Sequence, residues 1–99
     1  MDYGSSKWKK KREHILRLDG YKDRIELLYG RTVEAQIVHH IYPAEEYPQW
    51  QWCDWNLISV SKATHNRLEN RTTKRLTALG QALQDRTEPN VDWRKKAVR

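Results

Sequence analysis

The chain contains no phenylalanine, one cysteine, one methionine, three prolines and four glycines. Five tryptophans and five tyrosines are left to supply the bulky part of any core. The single cysteine, Cys53, excludes an intramolecular disulfide and fits a reducing compartment. No apolar run approaches the roughly 18 residues that cross a bilayer, and the basic first residues are not followed by an apolar segment. Neither a membrane span nor a secretory leader is therefore expected, and the expected location is the cytosol. No internal repeat is visible.

Ninety-nine residues make one small domain, with 37% hydrophobic residues against 32% charged. A core of that size usually needs a staple or a partner. The net charge of +6 and pI near 9.6 favour a polyanionic partner, which bears on association and not on fold.

Read in order, residues 1–5 form a loose leader, and Ser5 or Ser6 caps a helix running to about Leu18. Trp8, Arg12, Ile15 and Leu16 share one face of it, while Lys7, Lys9, Lys10, Lys11 and Arg17 spread charge over the rest. Asp19-Gly20 is turn chemistry. Residues 21–32 are ambiguous. Val33 to Val38 alternates as a half-buried strand. A loop rich in Pro, Glu and Trp covers 41–55, Leu57–Val60 is a second strand, and Ser61 to about Asn70 reads as a helix. A further helix from about Thr72 to Asp85 places Leu76, Leu79 and Leu83 on one side, with Gly80 a weak point. The tail, 87–99, ending Arg94-Lys95-Lys96-Ala97-Val98-Arg99, is expected to be flexible and basic.

Two adjacent histidines, His39 and His40, end the first strand-like run. Asn56 follows sixteen positions after His40, and His65 nine positions after that. Together these residues can bind a divalent metal beside a general base, the minimum equipment for cutting a phosphodiester. Adjacent side chains at a strand end point in different directions, so one ring can face an ion and the next a water molecule. The run Val38-His39-His40-Ile41-Tyr42-Pro43, then Glu45-Glu46-Tyr47-Pro48, Asn56-Leu57-Ile58-Ser59 and His65-Asn66, resembles the HNH endonucleases of the small phage-associated type. The resemblance covers roughly Trp8 to Glu69.

That resemblance implies an α+β fold, a ββα-metal core at about 7–70 with flanking N- and C-terminal helices. It implies a divalent-metal-dependent DNA endonuclease that nicks or cuts duplex DNA by hydrolysis. His39 and His65 would be metal ligands, His40 the general base and Asn56 an organiser of the loop after His40. A third ligand is open: Glu69 four residues after His65, Asn66, or water. Mg²⁺ or Mn²⁺ is the expected ion, and imidazole ligands also admit Ni²⁺, Co²⁺ or Zn²⁺. Relatives of this type act beside phage packaging genes with the terminase large subunit and portal, in a bacterial host cell. A monomer is favoured. The alternative is a catalytically weak DNA-binding or packaging factor that keeps the fold.

Many relatives carry two Cys-x-x-Cys pairs that hold a structural zinc. The corresponding places here are Asp23 with Glu26 and Ser61 with Thr64, a poor soft-metal set, so no structural zinc is expected. Ile25, Leu27 and Leu28, packing inward with Tyr21 and Tyr29, are the expected replacement, with Asp23 or Glu26 bonded to the hydroxyls of Ser61 and Thr64. Lys9, Lys10, Arg67, Arg71, Lys74 and Arg75 are candidate phosphate contacts, the last four near helical spacing. Trp50 and Trp52, at alternate positions, would share a face as core anchors, a protein-docking patch or a base-stacking surface.

Overall fold

A computed structural model describes residues 1–96. Helix α1 (Ser6–Leu18) begins where the Ser5 hydroxyl accepts from the Trp8 amide at 3.1 Å, which satisfies one of the free amides of the first turn. Its buried side chains are Trp8, Ile15 and Leu16. Asp19 closes it, and Gly20 and Tyr21, at φ of 64° and 58°, reverse the chain. A short helix α2 (Arg24–Leu28) follows, capped by the Asp23 carboxylate.

Strands β1 (Ile37–His40) and β2 (Leu57–Val60) pair antiparallel, Ile37 opposite Val60 and His40 opposite Leu57. Two 3₁₀ turns, Pro48–Trp50 and Asp54–Asn56, lie in the connection between them. Helix α3 (Lys62–Leu68), capped by Ser61, completes the ββα unit; α4 (Ala78–Arg86) and α5 (Trp93–Lys96) follow. The pleat divides the core in two. Val38 and Leu57 join Trp8, Ile15, Leu16 and Ala35 on the α1 side. Ile58, Val60 and Ile41 join Ile25 and Leu68 on the side of α2 and α3. This is a mixed helix and small antiparallel sheet architecture, the ββα arrangement of the HNH fold. Among the described residues no helix is long and apolar enough to cross a membrane.

A two-stranded sheet leaves each strand with one free edge, whose peptide groups need partners. The carbonyls of Asn56 and Val60 accept from the Ile41 and Gln36 amides on the β1 side, so the odd-numbered residues of β2 face outward. Side chains cap that outer edge. The amide of Ser59 donates to Asp19 Oδ2 at 3.1 Å, and that of Ser61 to Asp23 Oδ2 at 2.8 Å. The Leu57 carbonyl accepts from Arg94 Nη2 at 2.6 Å. Arg94 also grips Asp19 through two bonds of 2.6 and 2.9 Å, with Arg24 at 3.0 Å on the same carboxylate.

Several expectations are corrected. The tail was expected to be flexible from Thr87, yet Thr87 and Arg94 are buried and Trp93 donates to the Trp55 carbonyl at 2.8 Å. The ion pair with Asp19 explains this docking; residues 97–99 of the tail lie outside the described residues. Tyr21, Leu27, Leu28 and Tyr29 do not pack inward: Leu28 is 66% and Tyr29 65% exposed, and Ile25 alone of the expected group is buried. The strand begins at Ile37, not Val33, because Val33 and Ala35 bond instead to Asp23 and Tyr21. The last long helix begins at Ala78, not Thr72. Asn70 Oδ1 accepts from the amides of Thr72 and Thr73, Lys74 turns at φ 64°, and Glu69 bridges to Leu76, so this stretch is a tight turn. Residues 1–5 are not loose either, since Asp2 organises a turn through Gly4 and Ser5.

Gly80 is a site of close approach, where a Cβ would run into the Leu68 carbonyl at the crossing of α3 and α4. In an open helix, Gly→Ala stabilises by about 1 kcal/mol. Here backbone collision outweighs that gain, and Gly80→Ala is expected to lower stability by about 1–3 kcal/mol. Urea denaturation of the variant checks this, and an unchanged or raised midpoint would refute it.

Candidate active site

His39 is paired with Ile58 and follows the face of Ile37, toward α3; His40, one residue on, turns to the α1 face and meets Trp8. The His39 ring is 5.3 Å from that of His65 between centroids. His65 lies in α3, and Glu69 caps that helix, its amide bonded to the His65 carbonyl and its carboxylate 3.8 Å from His65 Nε2. Ligand atoms of His39, His65 and Glu69 all lie within 4.8 Å of one another. Among the described residues, this is the one group of three His, Cys, Asp or Glu side chains so placed.

The donor set fits a divalent ion. Both ring nitrogens of His39 are buried and make no hydrogen bond among the described residues. Leaving a buried polar atom unpaired costs about 1–3 kcal/mol, which a metal bond would offset. Three ligands on one ion at about 2.0–2.2 Å lie about 3–3.8 Å apart, so side-chain movements of about 1 Å would close the group. Burial first, then the neighbouring His65 and His40, push His39 down from its ordinary 6.5 to about 3. The ring is neutral at physiological pH and presents a lone pair, as ligation requires.

His40 is held differently. Its Nε2 lies 3.0 Å from the Gln51 carbonyl, and a carbonyl only accepts. Nε2 therefore carries the proton of the neutral ring, and Nδ1 keeps a lone pair. Burial pushes His40 below its ordinary value, while the Gln51 bond works the other way.

Asn56 is fully buried and spends its whole amide on two loops. Oδ1 accepts from the Tyr42 amide at 2.7 Å; Nδ2 donates to the carbonyls of Tyr42 at 3.0 Å and Trp50 at 3.2 Å. It thus ties the segment leaving His40 to the turn that delivers the Gln51 carbonyl.

The candidate phosphate contacts are less unified than their spacing implied. Lys9 and Lys10 are exposed on α1. Arg67, on α3, bonds Thr64 and approaches Glu26 at 3.8 Å. Arg71, Lys74 and Arg75 are exposed on the turn after α3, not on one helix face. Trp50 and Trp52 also separate. Trp50 stacks on Tyr47 and meets Tyr42 and Trp55, whereas Trp52 packs against Trp8 with Lys7 over it. The four zinc-cysteine positions hold a hydrogen-bonded set: Asp23 accepts from the amides of Ile25, Glu26 and Ser61, and the Ser61 and Thr64 hydroxyls lie 3.1 Å apart. Burial works to raise Asp23, and the bonds from Ser61, Thr64 and Glu26 outweigh it, holding the carboxyl below its ordinary value. His14 pairs with Asp54 at 3.1 Å. The Gln51 carbonyl and the ring of Trp8 beside His40 were not foreseen. A backbone carbonyl leaves no mark in residue type, and Trp8 read only as core.

The candidate site thus combines an imidazole pair divided between the faces of one strand, a buried asparagine that joins two loops, and His65 with Glu69 from the following helix. The structure is similar to the crystal structure of the HNH endonuclease of the deep-sea thermophilic bacteriophage GVE2 with manganese ion, at 32% identity and a TM-score of 0.63. The match covers 66% of this chain and 71% of that one. No family model and no curated protein matches the chain. The chain belongs to the HNH endonuclease family, and nuclease function follows at that general level.

The neutral burial of His39 generates a pH dependence. Unfolded, the ring protonates below 6.5; folded, only below about 3. The unfolded state therefore binds more protons between these values, and stability falls as pH drops through that window. In metal-free protein the loss from this residue is expected to approach about 1.4 kcal/mol per pH unit. His39→Gln should flatten the profile between pH 6 and 4, measured by urea denaturation; equal slopes in both proteins would count against it.

Proposed function

We propose that this protein is a divalent-metal-dependent endonuclease that hydrolyses DNA, with His39, His65 and Glu69 holding one Mg²⁺ or Mn²⁺ ion. The observation that carries the reading is the pair of buried, unpartnered ring nitrogens of His39 opposite His65 and Glu69. The manganese named with the GVE2 enzyme supports the choice of ion class. When bound, the ion supplies positive charge beside the scissile phosphate and the departing 3′ oxygen.

The rest falls to the chain's own residues. His40 Nδ1, with its lone pair secured by the Nε2 bond to Gln51, takes a proton from the attacking water. The water oxygen bonds phosphorus as the bond to the 3′ oxygen breaks. Asn56 keeps the two loops that aim this imidazole in register. Lys9, Lys10, Arg67, Arg71, Lys74 and Arg75 meet phosphates along the backbone, which gives strong salt dependence and weak sequence preference. Phage origin of the similar enzyme supports a place in phage DNA packaging with the terminase large subunit and portal, inside a bacterial cell; co-purification with those proteins tests it.

Relaxation of supercoiled plasmid is the decisive measurement. Nicking is expected with Mg²⁺ or Mn²⁺, none in EDTA, and a loss of about 10²–10⁴-fold in His40→Ala. A folded protein that binds DNA but fails to nick with any metal would instead be a packaging or DNA-binding factor that keeps the fold. Nicking that survives His40→Ala would remove His40 from the role of base.

Metal choice gives a separate expectation. Imidazole ligands favour Zn²⁺ by affinity, while oxygen-rich phosphate chemistry favours Mg²⁺ and Mn²⁺. Zn²⁺ should raise the melting temperature more than Mg²⁺ at equal concentration yet support little cleavage. Equal rates with zinc and magnesium would contradict this.

A further inference from the structure

We propose that Tyr3 is a positioning residue of the nuclease site: with Trp8 it forms an aromatic clamp that bears on the His40 imidazole from two adjoining directions. The inference rests on His40 as the base and goes beyond it, because it assigns a function to the segment ahead of the first helix.

A neutral imidazole tied only at Nε2 can still swing about that bond, and the swing moves Nδ1, the atom that must meet the attacking water. Two contacts oppose it. Trp8 lies nearly parallel to the ring, with centroids 5.3 Å apart at 19°. Tyr3 approaches edge-on at 6.1 Å and 69°, and is itself set at 5.4 Å and 86° against Trp8. Edge-to-face and offset arrangements of this kind are the attractive geometries of aromatic quadrupoles.

The approach of Tyr3 is built, not incidental. The Asp2 carboxylate accepts from the Gly4 amide at 2.9 Å, and the Asp2 carbonyl accepts from the Ser5 amide and hydroxyl at 3.3 and 2.8 Å. The same Ser5 hydroxyl caps α1, so the turn that carries Tyr3 and the helix that carries Trp8 are fixed as one unit. Tyr3 remains 55% exposed, so its ring does not serve the core.

The test compares Tyr3→Ala and Tyr3→Phe with the intact protein under saturating Mn²⁺, reading kcat and KM on a DNA substrate together with the melting temperature. Tyr3→Ala is expected to lower kcat about ten-fold, with KM and melting temperature nearly unchanged, and Tyr3→Phe to restore kcat. A raised KM with kcat intact would make Tyr3 a DNA contact and overturn the clamp. So would Tyr3→Phe as slow as Tyr3→Ala, because the hydroxyl and not the ring would then matter. A drop in melting temperature that accounts for the loss would reduce Tyr3 to a cap of α1, also against the proposal. His40→Ala runs beside them. Wild-type protein that fails to nick defeats the nuclease reading and the clamp together, whereas a fully active His40→Ala removes His40 from the role of base and the clamp with it. An active wild type, an inactive His40→Ala and an undiminished Tyr3→Ala defeat the clamp alone.

Discussion

The free edge of β2 is the constraint on which the rest of this structure depends. A sheet of two four-residue strands is marginal by itself, and its outer edge is buried where water cannot serve the peptide groups. Asp19, Asp23 and Arg94 serve them in turn, at Ser59, Ser61 and Leu57. Each of these side chains comes from a different part of the chain, so capping the edge also fastens α1, α2 and α5 to the sheet. Removing one member of such a buried ionic set costs about 3–5 kcal/mol, because the other is left charged and alone. In a domain of this size that is a large share of the whole. The set stands where relatives of this type place zinc-binding cysteines only in part: Asp23, Ser61 and Thr64 do, while Asp19 and Arg94 extend the network beyond it.

The site was largely legible in the sequence because its chemistry lies in residue type and order. Alternation along a strand is enough to send His39 and His40 to opposite faces. Asp23 beside Ser61 and Thr64 was visible as a hydrogen-bonding possibility. The bond between Asp19 and Arg94 was not, since seventy-five positions separate them and neither has a local signature. For the same reason the segment after Thr87 read as tail. Periodicity also misled where side chains compete for the backbone. Leucine spacing suggested a helix from Thr72, but Asn70 and Lys74 impose a turn first, and Gly80 read as a weakness because its close crossing with the helix of Leu68 leaves no mark in the sequence.

Aiming and holding are kept apart in this site. His39 is fixed by burial on the α3 face, where its neutral state follows from the absence of water. His40 sits on the α1 face and is fixed by a carbonyl, a stacked indole and the loops that Asn56 joins. The aromatic-rich composition that stood in for absent phenylalanine is used on both counts, as core on the α1 side and as loop anchor around Trp50 and Trp55.

The reach of Arg94 back to Asp19 has a consequence during synthesis. At about 5–20 residues per second, roughly 1–5 s pass between translation of Leu68 and of Arg94. Throughout that interval both strands and α3 exist as chain, yet the Leu57 carbonyl has no donor and Asp19 has Arg24 as its one described cation. The nascent polypeptide therefore waits on the ribosome with its sheet edge open. The sheet edge becomes fully closed only once α5 is available, after every residue of the candidate site has already been made.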